Sequence, residues 1–119
     1  MKPRYYLILS LVWLAVIWVL SSLPAEEIPE VNIFGVDKIA HFGVYLIWGA
    51  LTHIYLYKKG LNKKFRNVLV LLMFFLAALD EYHQRWIPGR DVSVYDLFAN
   101  WAGLIASFLV LFPLKRWRK

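Results

Sequence analysis

Four long apolar runs, separated by short polar or basic stretches, organise the chain. The first extends from Tyr5 to Leu20 and closes at Ser21, Ser22, Leu23 and Pro24. The second begins at Asp37-Lys38 and continues to Tyr57, where Lys58 and Lys59 end it. A third begins near Phe65, and the fourth runs from about Val94 to Leu114, before the terminal Lys115-Arg116-Trp117-Arg118-Lys119. The pattern predicts helices over about residues 5–22, 37–57, 65–86 and 94–114, with Pro24 suited to terminating the first. The third run is apolar only from Val68 to Leu79, about 12 residues or about 18 Å of helix. A bilayer core about 30 Å thick needs about 20 residues, so this helix must continue through Asp80-Glu81-Tyr82-His83-Gln84-Arg85-Trp86.

Composition turns these helices into membrane helices. Of 119 residues, 61% are hydrophobic, against the roughly 45–50% apolar content of soluble domains. The expected fold is therefore all-α: one integral membrane four-helix bundle spanning residues 1–119. A cleaved signal peptide is the competing reading of the first run. The length and bulk of that run, and the three apolar segments that follow it, favour a retained helix.

The net charge of +6 matters through its placement. Lys and Arg cluster at both termini and between the second and third runs, while the connector from Ala25 to Val36 holds Glu26, Glu27 and Glu30 and no basic residue. The positive-inside rule then places both termini in the cytoplasm, in a multi-pass arrangement. No nucleic-acid motif accompanies the basic residues, and no nucleic-acid partner is expected. Cysteine is absent, which excludes disulfides, a thiol nucleophile and thiolate metal sites.

With this topology the conspicuous polar residues fall at the outer helix ends. Counting from the basic boundaries puts Asp80 and Glu81 about 8–9 Å below the outer surface, Asn100 at similar depth and Asp96 a little shallower; Lys38 lies at the surface, His41 about 4–5 Å and Tyr45 about 10 Å below it. Lys38, His41 and Tyr45 share one helical face, as do Asp80 and Gln84, and as do Asp96, Asn100, Gly103 and Ser107. Lipid would not solvate these faces, so they are expected to look inward and form a pocket open to the outside. Ala99, Gly103 and Ser107 also form a small-residue stripe suited to close helix packing.

Asp37-Lys38-x-x-His41-Phe42-x-x-Tyr45, Asp80-Glu81-x-x-Gln84 and Pro88-Gly89-Arg90-Asp91-x-Ser93-x-x-Asp96-x-x-x-Asn100-x-x-Gly103, with the Ser-Ser-Leu-Pro end of the first helix, resemble the VanZ-like family of small membrane proteins. Its founding member is associated with low-level teicoplanin resistance. The resemblance spans most of Ser21 to Gly103. It implies a bacterial cytoplasmic-membrane protein acting at the cell envelope, without supplying a mechanism. Ser107 stands where the family often has a second glycine.

Two readings compete for the polar layer. In the first, Asp37, Lys38, Tyr45, Gln84, Arg90, Asp91, Ser93, Asp96 and Asn100 bind an anionic ligand, such as a lipid-linked or peptidyl cell-wall precursor or an anionic lipid headgroup, with Arg90 as the bidentate arm. In the second, Asp80, Glu81 and His41 act as general acid and base on such a substrate. A small proton-coupled carrier is a further alternative. The bland counterpart is an ion pair from Asp80 or Glu81 to Arg90 or Lys38 that only holds helix ends together. No metal or other cofactor is expected: no spacing matches an established zinc motif, and the nearby basic residues oppose a cation. Ser93 reads as a helix cap rather than a nucleophile, and His53 as structural. Membrane lipids are the expected surroundings, with the chain acting as monomer or homodimer.

Overall fold

The computed structural model describes residues 2–24, 36–90 and 92–117. Among the described residues there are four α-helices and no strands: α1 Pro3–Ser21, α2 Val36–Lys59, α3 Lys63–His83 and α4 Val94–Trp117, with a 3-10 turn over Gln84–Trp86 continuing α3. Local chemistry explains the boundaries. Pro3 stands in the first turn of α1, where its fixed φ suits the helix and its missing N–H is not needed. Lys58 and Lys59 occupy the last turn of α2, facing the negative end of the helix dipole. Gly60 follows at φ 71° and donates its N–H to the Leu56 and Tyr57 carbonyls, a left-handed ending that favours glycine. Asn62 starts α3 by accepting the Phe65 N–H at 2.8 Å. Ser93 does the same for α4, its Oγ accepting the Asp96 N–H at 3.3 Å, as the sequence predicts.

The closest helix pair is α2 with α4. A Cβ on Gly103 would run into the Phe42 carbonyl oxygen and lie 2.9 Å from the Leu46 N, and one on Gly49 would meet the Ser107 side chain and lie 3.3 Å from Leu104. The small-residue stripe of α4 therefore lets two backbones approach, as small residues do between membrane helices. Around this pair a core of Ile17, Tyr45, Trp48, Met73, Ala77 and Leu104 draws on all four helices. Polar cross-links reinforce it: the Trp13 indole donates to the Val44 carbonyl at 2.9 Å, the Trp101 indole to the Phe74 carbonyl at 3.1 Å, and Ser10 pairs with Thr52 at 2.7 Å. The His53 ring packs on Phe108 with centroids 3.5 Å apart, away from the polar layer.

The outer surface is apolar. Leu11, Val12 and Val19 of α1, Val68, Leu71 and Phe75 of α3, and Ile105, Leu109 and Val110 of α4 are all exposed, an exterior suited to apolar surroundings. Two helical segments, Pro3–Ser21 and Lys38–Lys59, are long and apolar enough to cross a membrane, and α4 carries a shorter apolar stretch, Val94–Val110.

Candidate functional site

Helices α2, α3 and α4 each contribute side chains to one buried polar network. From α2, the 3.6-residue period aligns Lys38, His41 and Tyr45. From α3 come Asp80 and Glu81, each only 2% exposed, and from α4 come Asp96 and the fully buried Asn100. Tyr45 donates its hydroxyl to Asp80 Oδ2 at 2.6 Å. His41 Nδ1 donates to Asn100 Oδ1 at 2.9 Å, and its Nε2 lies 3.7 Å from Asp96 Oδ2. Lys38 Nζ bonds Asp96 Oδ1 at 2.5 Å. Glu81 Oε1 accepts the Ser93 backbone N–H at 2.9 Å, which joins the end of α3 to the start of α4.

Hydrogen bonding leaves part of the network unused. Asp80 Oδ1, Glu81 Oε2 and Asn100 Nδ2 are buried and meet no hydrogen-bond partner among the described residues. The ring of His83 is 3.7 Å from Asp80 Oδ1. Buried polar atoms are nearly always partnered, so three unpaired atoms in one cluster single it out as the candidate site. The cluster holds three carboxylates, Asp80, Glu81 and Asp96, and one ammonium, Lys38, paired with Asp96, which makes it acid-rich.

Other predicted residues sit elsewhere. Arg90 turns towards α1, where Nε donates to the Leu23 carbonyl at 3.2 Å and Nη2 to the Leu20 carbonyl at 3.1 Å. Gln84 is buried in the 3-10 turn. Asp91 and the side chain of Asp37 lie outside the described residues. A contact that sequence reading missed is His83, whose ring stacks on Trp18 at 4.4 Å, with Nδ1 on the Asp80 carbonyl at 2.6 Å and Nε2 3.1 Å from Ser22 Oγ. The Ser-Ser-Leu-Pro end of α1 was its only sequence signal.

A groove of about 340 Å³ opens between α3 and α4. Leu79, Tyr82, Val94 and Leu97 supply apolar walls, and Glu81 and Ser93 supply the polar groups. An apolar groove with a carboxylate among its lining residues suits a ligand that is mostly greasy with a polar group.

Among the described residues, these features define an all-helical arrangement with two helices apolar enough to cross a membrane and a buried acid-histidine network between three helices. The chain belongs to the VanZ/LLP1 family, whose pattern matches residues 6–116. No curated protein and no solved structure matches the chain.

Proposed function

We propose that this chain is a multi-pass protein of the bacterial cytoplasmic membrane, with both termini in the cytoplasm. On this reading it binds an anionic, lipid-linked or peptidyl ligand of the cell envelope and thereby contributes to tolerance of glycopeptides such as teicoplanin. The observation that carries the reading is the α3–α4 groove, apolar along its walls and lined also by Glu81 and Ser93. Acyl or polyprenyl carbon lies along Leu79 and Leu97, and the head reaches the network of Glu81, His41 and Lys38. Arg90 is engaged with α1 carbonyls, and Lys38, bonded to Asp96, is the basic group of the network that lies nearest the head. The apolar exterior supports immersion in lipid, and the 49 Å long axis of the bundle matches a bilayer about 40–45 Å thick with its headgroups.

The test is mass spectrometry of lipids retained by the protein purified in mild detergent. Wild type is expected to hold an envelope lipid or precursor enriched over the bulk membrane, and Leu97→Trp, which fills the groove, to lose it. A wild-type profile equal to the bulk membrane would sink the reading. Teicoplanin susceptibility of cells carrying Asp80→Asn and Asp96→Asn is the companion assay, with loss of tolerance expected in both.

A membrane-embedded hydrolase or transferase is the second reading, favoured by the open valence at Glu81 Oε2. A carboxylate oxygen free of hydrogen bonds beside a ligand groove is available to take a proton. Glu81→Gln separates the two: retained lipid with abolished tolerance indicates chemistry, and loss of both indicates binding.

A further inference from the structure

We infer that His41, Glu81 and Asp96 form a binding site for a divalent first-row transition-metal ion, Zn2+ or Mn2+. The three residues come from three different helices, and each places one potential ligand atom within 4.8 Å of the others. No local spacing such as His-x-x-x-His announces the site because no two of its ligands share a helix. The absence of a zinc motif from the sequence therefore carries no weight against it.

The second observation is how each side chain is held. His41 Nδ1 is taken by Asn100 Oδ1, which leaves Nε2 with its lone pair, 3.7 Å from Asp96 Oδ2. Metal-ligating histidines are oriented in this way, through a hydrogen bond from the other ring nitrogen. Glu81 Oε1 is taken by the Ser93 N–H, while Oε2 is buried and unpartnered. Asp96 Oδ1 is taken by Lys38, with Oδ2 on the His41 side. Every candidate ligand thus has one atom fixed by an outer group and one left over.

The chemistry fits an ion, and the dimensions fit once the side chains close on it. Tetrahedral ligands about 2.0–2.2 Å from an ion lie about 3.3–3.6 Å from one another; His41 Nε2 and Asp96 Oδ2, 3.7 Å apart, are already near that spacing, and the widest pair must close by about 1.2–1.5 Å through side-chain rotation. One imidazole and two carboxylates suit zinc or manganese; calcium prefers an all-oxygen shell and copper(I) prefers sulfur. Lys38 does not block the ion, because it occupies the other Asp96 oxygen and offsets part of the carboxylate charge. Three protein ligands leave a position open for water or an anionic group. The site stands independently of the envelope-ligand reading, and would give an acid-rich pocket a means of holding an anion.

The experiment uses the full chain in detergent, stripped by chelator, with Zn2+ alone as the probe. Calorimetric titration is expected to show saturable binding of one ion per chain, weakened about 100-fold or more by His41→Ala, Glu81→Gln and Asp96→Asn, since even outer-shell losses cost about 10–100-fold. Circular dichroism confirms that each variant is folded. Where a variant is not, Co2+ added to wild type reads the site directly: visible absorption of a low-symmetry complex, bleached by Zn2+, is expected. No saturable Zn2+ binding at millimolar concentration, binding undiminished in folded variants, or a Co2+ spectrum unchanged by the protein would each overturn the assignment. Because lipid retention is measured separately, loss of the metal site with lipid still held would leave the ligand reading standing.

Discussion

Arg90 links the Pro88-Gly89 turn to the end of α1, a consequence of its reach to the Leu20 and Leu23 carbonyls. Leu20 lies in the last turn of α1, where its carbonyl also accepts the Leu23 N–H at 3.4 Å, and Leu23 lies just past the helix, so the guanidinium fork acts as a cap supplied by a distant residue. Arg90→Ala is expected to cost about 1–2 kcal/mol, the order of charge-assisted hydrogen bonds at a partly exposed site, seen as a lower Tm in detergent. Arg90→Lys restores little, having no second donor at fixed angle. Wild-type stability with lost tolerance would instead return Arg90 to the ligand. At this scale, depth counting brought Lys38, His41, Tyr45, Asp80, Glu81, Asp96 and Asn100 to one layer from sequence. It could not pair them, because depth and helical phase fix a height and a direction but not which helix stands opposite. Tyr45 on Asp80 and His41 on Asn100 needed that arrangement. The reach of Arg90 to α1 was hidden for the same reason.

Helix α3 differs from α2 and α4 in how it is held. The pair α2–α4 meets through backbone-to-backbone approach at Gly103 and Gly49, whereas α3 is tied by a few directional contacts: Tyr45 to Asp80, Ser93 to Glu81, Trp101 to Phe74 and Ser22 to His83. Gly103→Ala is therefore expected to destabilise the bundle by about 1–3 kcal/mol, the range for overpacking. Gly49→Ala should cost less, because it meets a side chain rather than backbone. Thermal unfolding in detergent measures both, and near-wild-type Tm for Gly103→Ala would mean that α2 and α4 stand further apart. The small-residue stripe was readable because its spacing is a helical period. The continuation of α3 as a 3-10 turn over Gln84–Trp86 was not, since the sequence there differs little from helix.

For the whole molecule, the number and order of helices follow from the apolar runs and their basic boundaries, while sidedness rests on charge placement alone. The absence of cysteine makes sidedness directly measurable: a single cysteine at Pro88 is expected to react with an impermeant maleimide added to intact cells, and one at Leu61 only after lysis. The reverse pattern would invert the proposed topology. The Lys38–Asp96 pair, whose members are 58 residues apart in sequence, also bears on biosynthesis. At about 5–20 residues per second, Asp96 leaves the ribosome about 3–12 s after Lys38. For that interval α2 carries the Lys38 ammonium without Asp96. On the proposed membrane topology, release of α2 into lipid would then wait on α4, and the two helices would depart from the insertion machinery together. A chain truncated before Val94 should accordingly remain crosslinkable to that machinery, or be degraded, in a pulse-chase experiment where the full chain matures.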